Sequence, residues 1–170
     1  CLAQRGWHCR SLPNAFPQAK SLWRLCQMAY RIRAPEQAAT LYLLALQPTK
    51  RGAWCRSDRK KSYRPGDVSL IVARLDHPWS EDSGHKAVVQ SVVGGGVRGA
   101  ESRPSSAYLV DLEPGNHEYL ILPFCLGQAP TAAETTKEQP FFVRLYSSAP
   151  LVVTPEALHD AAAPIHRSWA

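Results

Sequence analysis

The sequence lacks the long apolar run that a membrane-spanning helix requires. Its longest uninterrupted apolar stretches, such as residues 41–46 and 119–122, are far shorter than the roughly 20 residues that cross a bilayer as a helix. The first residues also lack an initiator methionine and the apolar core of a secretion signal. We therefore expect no transmembrane helix, and we expect the chain to be a segment of a longer protein.

The cysteine pattern lacks the pairing that disulfides and zinc sites need. There are 5 cysteines, an odd number, and no C-x-x-C pair. A disulfide framework favours an even number of closely spaced cysteines in a small secreted domain, and zinc favours paired ligands a few residues apart. We interpret the cysteines as free thiols in a reducing compartment, which predicts a cytoplasmic location.

The length and composition predict one domain. The chain has 170 residues, 45% of them hydrophobic, and no low-complexity tract divides it. We predict a single domain over residues 1–170, with residues 1–18 as an ordered leading segment and residues 154–170 as a C-terminal helix and tail. The helix prediction rests on Thr154 as N-cap, Pro155 at the first helical position and Glu156 in the first turn.

Strand signals dominate the rest of the chain. Segments rich in β-branched and aromatic residues alternate with proline- and glycine-containing turns. They occupy residues 39–46, 68–75, 86–93, 107–112, 119–124 and 141–147. Residues 6–18 add a leading strand, whereas residues 19–32 fit either a helix or a strand. We predict an all-β, antiparallel, eight-stranded (seven to eight) β-sandwich with a short C-terminal helix, whose closing edge is residues 107–147.

Several short phrases resemble the β-sandwich domain that follows the protease core in calpains. The turn Leu112-Glu-Pro-Gly115 followed by Tyr119-Leu-Ile-Leu-Pro123 is similar to a calpain segment L-x-P-G-x-Y-x-I-x-P. Residues 141–147 are similar to the strand F-x-L-R-x-F-S, and residues 30–33 and 40–51 resemble a strand pair that ends L-x-Q before basic residues.

Departures from that pattern point to a divergent branch. The usual Asn-Pro phrase is absent, and the phrase I-G-F is replaced by residues 68–72. The small-optic-lobes calpains are more similar, because they too open with a Trp-x-x-Arg phrase ahead of Leu-Pro, as in residues 7–10 and 12–13. The resemblance covers roughly residues 7–153.

The resemblance implies a non-catalytic part of a cysteine endopeptidase. The phrase G-D-C-W around a calpain nucleophile does not occur, so we predict no catalytic residue in this segment. The pairs His8 with Cys9 and His117 with Cys125 are interpreted as structural or surface residues. The implied role is a regulatory or interaction domain that packs on the catalytic core of the same protein and binds protein partners or an acidic membrane surface.

The acidic loop after residue 75 does not predict a metal site. Calcium takes six to eight oxygen ligands from converging carboxylates. Asp76, Glu81 and Asp82 form the only dense acidic loop, and His77 and His85 lack a third zinc ligand. We interpret the loop as solvated and predict neither a metal nor a cofactor.

A basic loop is the stronger functional signal. Residues 50–64 contain seven Lys and Arg residues, whose summed positive charge exceeds the net charge of +6 of the whole chain, and Trp54 and Tyr63 lie among them. Each Lys or Arg near an anionic leaflet contributes about 1 kcal/mol, and interfacial aromatics add apolar insertion. The predicted anion- or lipid-binding residues are Lys50, Arg51, Trp54, Arg56, Arg59, Lys60, Lys61 and Arg64. The alternative is a solvated connector in which Asp58 offsets part of the charge.

Two other functions stay open beside the calpain-type role. One is a stand-alone phospholipid-binding module. The other is a nucleic-acid-binding β protein, suggested by the pI of ≈ 9.2 and the aromatic residues of the basic loop. Nucleic-acid modules place stacking aromatics on a sheet face beside basic residues, whereas the aromatics here scatter among predicted core strands. We therefore expect no nucleic acid partner.

Overall fold

A computed structural model describes residues 6–16, 23–26, 28–47, 68–76, 89–95, 105–115, 117–126 and 139–157. Within these ranges the chain forms ten strands. They are β1 (His8–Phe16), β2 (Trp23–Leu25), β3 (Met28–Arg33), β4 (Ala39–Leu46), β5 (Val68–Leu75), β6 (Val89–Gly95), β7 (Ser105–Leu112), β8 (Glu118–Leu126), β9 (Gln139–Ser147) and β10 (Val152–Ala157).

The strands build two antiparallel sheets that enclose one core. The four-stranded sheet has the order β1-β9-β4-β7. The six-stranded sheet has the order β10-β3-β8-β5-β6, with β2 beside β8. The prediction of an all-β antiparallel sandwich is confirmed, although the described residues contain ten strands and not the predicted seven or eight.

The prediction that residues 107–147 form a closing edge is wrong for two of their three strands. β8 lies between β3 and β5, and β9 lies between β1 and β4, so both are interior strands. Of these three strands, only β7 lies at the edge of its sheet. The turn at Pro114 and Gly115 explains the difference, because it carries the chain from one sheet to the other and does not close a hairpin.

Residues 19–32, for which a helix and a strand were both open, contribute strands β2 and β3. The two strands pair with the same neighbour, β8, on either side of an interruption at Cys26. The interruption lies beside Pro123 of β8, which has no backbone N–H to donate. In an antiparallel strand the N–H and C=O of one residue point to the same side. The Pro123 carbonyl accepts from the Cys26 N–H at 3.3 Å, so the absent donor also falls at this interruption.

The predicted C-terminal helix does not begin at Thr154. Residues 152–157, including Thr154, Pro155 and Glu156, form β10 and pair with β3. Pairing along a sheet edge outweighs the local capping signal, and an edge strand tolerates proline. The remaining residues of the predicted helix and tail, 158–170, lie outside the described ranges.

The core lies between the sheets and draws large side chains from both. Each such side chain contributes about 1.5–3 kcal/mol when it is removed from water. The six-stranded sheet supplies Tyr30, Ile32, Leu70, Tyr119 and Ile121, and the four-stranded sheet supplies Leu41, Leu43, Leu112, Phe141 and Leu145.

Polar groups join the two sheets where β1 faces β3. The Tyr30 hydroxyl donates to the Pro13 carbonyl at 2.9 Å, and Asn14 Nδ2 donates to the Met28 carbonyl at 2.8 Å. Cys26 Sγ donates to the same Met28 carbonyl at 2.7 Å. These bonds satisfy buried polar atoms and fix β1 over the opposite sheet.

The sheets also meet closely where β6 faces β7. A Cβ at Gly94 would lie 2.3 Å from Val110 Cγ2, well inside contact distance. Only glycine therefore lets β6 approach the buried Val110 side chain at this point.

Candidate interaction surface

The predicted anion-binding residues lie outside the part of the chain that the structure describes. Lys50, Arg51, Trp54, Arg56, Arg59, Lys60, Lys61 and Arg64 all fall within residues 48–67. The basic loop therefore stays a prediction. Of the acidic loop only Asp76 is described, as an exposed residue after β5.

Cys9 and Cys26 are free thiols in two different settings. Cys9 is exposed on β1, next to the exposed His8, and neighbouring strand residues point to opposite faces. Cys26 is buried, and burial raises the pKa of its thiol to about 12. A nucleophilic cysteine needs a lowered pKa, so Cys26 has the properties of a core residue.

A charged cluster occupies the outer face of the six-stranded sheet. Glu118 is buried, with 2% of its side chain exposed, and accepts from Arg31 Nη1 and Arg33 Nη2 at 3.3 Å each. Arg31 Nε also donates to Glu156 at 2.8 Å. The cluster therefore links β3, β8 and β10, and its described carboxylates and guanidinium groups are paired.

A second charged cluster holds the turn between β7 and β8. Arg74 donates to Glu113, and its Nη2 lies 3.2 Å from both ring nitrogens of His117. Gly115 adopts a φ of 113°, which the turn requires, and donates to the Pro35 carbonyl at 3.2 Å. Buried Arg74 Nε has no hydrogen-bond partner among the described groups. These contacts stabilise the turn, and we assign the cluster a structural role.

The outer face of the four-stranded sheet offers a different surface, which begins with β4. Its burial alternates strictly, so that Leu41, Leu43 and Ala45 face the core. The intervening side chains, Tyr42, Leu44 and Leu46, face outward and are half-buried. An outward face of a solvated antiparallel strand is normally polar, whereas here it is apolar.

Neighbouring strands extend this apolar surface. Tyr42 aligns with Leu109 of β7 on one side and with Tyr146 of β9 on the other. The rings of Tyr42 and Tyr146 are 6.3 Å apart and tilted by 41°. Leu109 is 65% exposed and Phe142 is 46% exposed. We call this surface the open face and define it by Tyr42, Leu44, Leu46, Leu109, Phe142, Arg144 and Tyr146.

Arg144 is the basic residue within the open face. It aligns with Leu44 across β4 and lies between Phe142 and Tyr146 along its own strand face. Its Nε donates to Ser11 Oγ at 3.2 Å. Among the described residues Arg144 contacts no carboxylate, whereas Arg31, Arg33 and Arg74 are each paired with a glutamate.

Sequence analysis missed the open face, although a signal was present. Residues 41–46 are apolar without interruption, and such a run is typical of a strand with both faces covered. Taken by itself, the run predicts a strand but not which of its faces is covered. Leu109, Phe142 and Arg144 carry no signal of their own, because their exposure depends on pairing partners distant in sequence.

Comparison with known proteins gives no family for this chain. No family model matches it, and no curated protein matches it significantly. In the ranges that the structure describes, no helix has the length and apolar character needed to span a bilayer. The same ranges contain no group of three or more metal-ligating side chains suited to holding a metal ion.

Proposed function

We propose that this chain is a non-catalytic interaction domain of a calpain-like cysteine protease in the cytoplasm. In this role it packs on the catalytic core of the same protein and binds protein partners or an acidic membrane surface. The observation that supports the proposal best is the open face, an apolar and aromatic sheet surface that retains substantial exposure. Contiguous exposed apolar surface of this kind is typical of interaction sites.

The positions of the calpain-like phrases are consistent with the proposal. Residues 30–33 and 119–123 fall on the paired strands β3 and β8 of one sheet. Residues 40–47 and 141–147 correspond to the paired strands β4 and β9 of the other sheet. The phrases that resemble the calpain domain therefore supply interior strands of both sheets.

The first test is the coding sequence that precedes this chain in its gene. The proposal expects a cysteine, a histidine and an asparagine in papain-like surroundings within the preceding few hundred residues. A preceding sequence without such a set would contradict the calpain-type role.

The second test measures whether the open face contacts the preceding segment. We expect the separately produced segment to bind the chain in calorimetry and to lose affinity when Leu109 and Phe142 are both changed to Asp. The matched control changes Val92 and Val93 of β6 to Asp, because both are also exposed, at 52% and 37%, but belong to the other sheet. Equal loss of affinity in both variants would contradict packing through the open face.

The membrane branch of the proposal depends on the basic loop. We expect phosphatidylserine vesicles to sediment with the chain at low salt and to release it as ionic strength rises, because exposed charges are screened. Adding calcium separates a calcium-dependent mode from an electrostatic one. Vesicle binding that is insensitive to salt would contradict the proposed role of the loop.

A further inference from the structure

The open face contains one feature that a purely apolar contact would leave unsatisfied. Arg144 lies between Phe142 and Tyr146 along β9, with Leu44 beside it on β4 and Ser11 beside it on β1. It is half-buried, and its contact is with the neutral Ser11 hydroxyl. Any partner that covers Phe142 and Tyr146 therefore also removes water from this guanidinium group.

Covering an unpaired cation is costly. Burial of a charge without an opposite charge or a full set of hydrogen bonds is strongly unfavourable. Guanidinium groups form their strongest contacts with carboxylates, in paired N–H···O bonds. A partner that supplies an aspartate or glutamate opposite Arg144 offsets the cost, and a wholly apolar partner does not.

Among the described residues of this outward face, the carboxylate is that of Asp111, which lies on β7 and is already engaged. Asp111 accepts from the Thr40 hydroxyl at 2.9 Å. Thr40 precedes Leu44, the neighbour of Arg144, by four residues on β4, which is about 13 Å along the strand. Asp111 is therefore too far along the sheet to pair with Arg144, and within the described part of the chain the guanidinium group can accept a carboxylate from another molecule or segment.

From this arrangement we infer that the open face binds a polypeptide segment in which an Asp or Glu side chain is flanked by apolar side chains. The carboxylate pairs with Arg144, while the apolar side chains cover Tyr42, Leu109 and Phe142. This inference rests on the proposed role as an interaction domain and adds the chemistry of its partner.

A lipid surface fits the open face less well than a polypeptide does. Insertion of Phe142 and Tyr146 into a bilayer would carry the intervening Arg144 toward the hydrocarbon, where a charge is expensive. Basic residues that serve membrane docking lie at the margin of the inserted surface, where they meet headgroups. The position of Arg144 between two aromatic side chains along β9 instead favours a protein partner with a carboxylate at a fixed place.

The test uses a library of random peptides displayed on phage, selected separately on the whole chain and on its Arg144→Glu variant. The unaltered chain is expected to select peptides that combine Asp or Glu with aromatic or aliphatic residues. The variant is expected to select Lys or Arg in place of the acid. Selected acidic peptides should bind Arg144→Glu about 30-fold more weakly or worse, the typical loss when one partner of a covered charge pair is removed.

Two further variants separate charge at this site from general effects. Arg10→Glu makes the same charge change on β1. Arg10 is exposed and aligns with the core-facing Leu145, so it lies on the side of the sheet opposite to the open face, and acidic peptides should keep most of their affinity. Arg144→Gln removes the charge without adding an opposite one and serves if Arg144→Glu unfolds. Circular dichroism and urea unfolding establish that each variant is folded.

Each alternative outcome has a defined meaning. Selected peptides without an acidic preference, or acidic peptides that bind Arg144→Glu and the unaltered chain equally, would overturn the inference. So would a selection that yields no ligand. Phosphatidylserine vesicles that bind in an Arg144-dependent way, with no peptide selected, would assign the face to lipid and leave an interaction role standing. A preceding gene segment without a protease core would remove the calpain-type role without changing the peptide result.

Discussion

Strands β4 and β8 have equally apolar sequences but different surroundings. β8 lies inside the six-stranded sheet, and its residues 118–124 are buried on both faces. β4 lies inside the four-stranded sheet, and only alternate residues are fully buried. A continuous apolar run is typical of a strand that needs cover on both sides. The outward residues of β4 are only half-buried, so this face is partly uncovered, which makes the open face the candidate interaction surface.

The two outer faces also treat charge differently. On the six-stranded sheet, Glu118 and Glu156 pair with Arg31 and Arg33. On the four-stranded sheet, Arg144 contacts no carboxylate among the described residues. A paired and buried cluster stabilises the fold, whereas an unpaired cation in an apolar surface favours recognition of an acidic partner.

The largest expected effect comes from removing the shared carboxylate of the charged cluster on the outer face of the six-stranded sheet. Glu118→Ala leaves two guanidinium groups without their shared carboxylate, and removal of one member of a buried ion pair costs about 3–5 kcal/mol. Urea unfolding should show that loss. The control is Arg33→Ala, because Arg33 has a 59% exposed side chain and should cost at most about 1 kcal/mol. Similar losses in both variants would contradict the importance of burial at Glu118.

The next prediction compares leucines on the two outer faces directly. Leu122 of β8 is buried, so Leu122→Ala should lower the free energy of unfolding by about 2–5 kcal/mol. Leu109 of β7 is mostly exposed, so Leu109→Ala should change it by no more than about 0.5 kcal/mol. Denaturant titrations of both variants provide the values. If Leu109→Ala is as destabilising as Leu122→Ala, the open face is covered within this chain.

A smaller effect is expected where the two sheets approach each other. Gly94→Ala places a methyl group against Val110, and overpacking of this kind costs about 1–3 kcal/mol. The double variant with Val110→Ala should lose less stability than the sum of the two single variants, because Val110→Ala removes the methyl groups that the methyl group added at residue 94 would meet. Thermal unfolding of the single and double variants measures the coupling. Additive losses would show that Gly94 does not pack on Val110.

A further effect concerns pH at the contact between β1 and β3. Burial raises the pKa of Cys26 from 9.0 in the unfolded chain to about 12, so the folded state keeps a proton that the unfolded state loses. Its contribution is therefore fully present below pH 9 and is lost as pH rises toward 12. Within that window stability should fall by about 1.4 kcal/mol per pH unit.

Burial also raises the pKa of Tyr30, which adds to the loss above pH 10. Urea unfolding between pH 8 and pH 11 measures the slope, and Cys26→Ser should reduce it because serine does not titrate there. Cys9→Ser is the matched control, because Cys9 is also a free thiol but is exposed on β1, whereas Cys26 is buried. A slope unchanged by Cys26→Ser would contradict the assignment.

Local sequence patterns predicted most of the strands. The run at residues 39–46 gives the bounds of β4, and residues 68–75 give those of β5. These segments combine β-branched or aromatic residues with clear turn signals, so their structure is set locally. The helix at Thr154 failed because pairing of β10 with β3 is a long-range contact that a capping pattern cannot reveal.

The candidate surface was much harder to predict than the strands. It depends on which strands become neighbours, and Leu109, Tyr42 and Tyr146 meet only because β7 and β9 both pair with β4. Sequence reasoning instead selected the basic loop, where charge is concentrated locally. The open face has one basic residue, so its chemistry emerges only when the sheet order brings apolar side chains around Arg144.

Carbene labelling of side chains, with and without a bound acidic peptide selected on the chain, tests most directly whether the open face is the interaction surface. We predict that labelling of Tyr42, Leu109 and Phe142 falls in the complex, while labelling of Val92 on β6, which is 52% exposed, stays the same. A complex in which the open face remains fully labelled, and protection appears only on the six-stranded sheet, would contradict it.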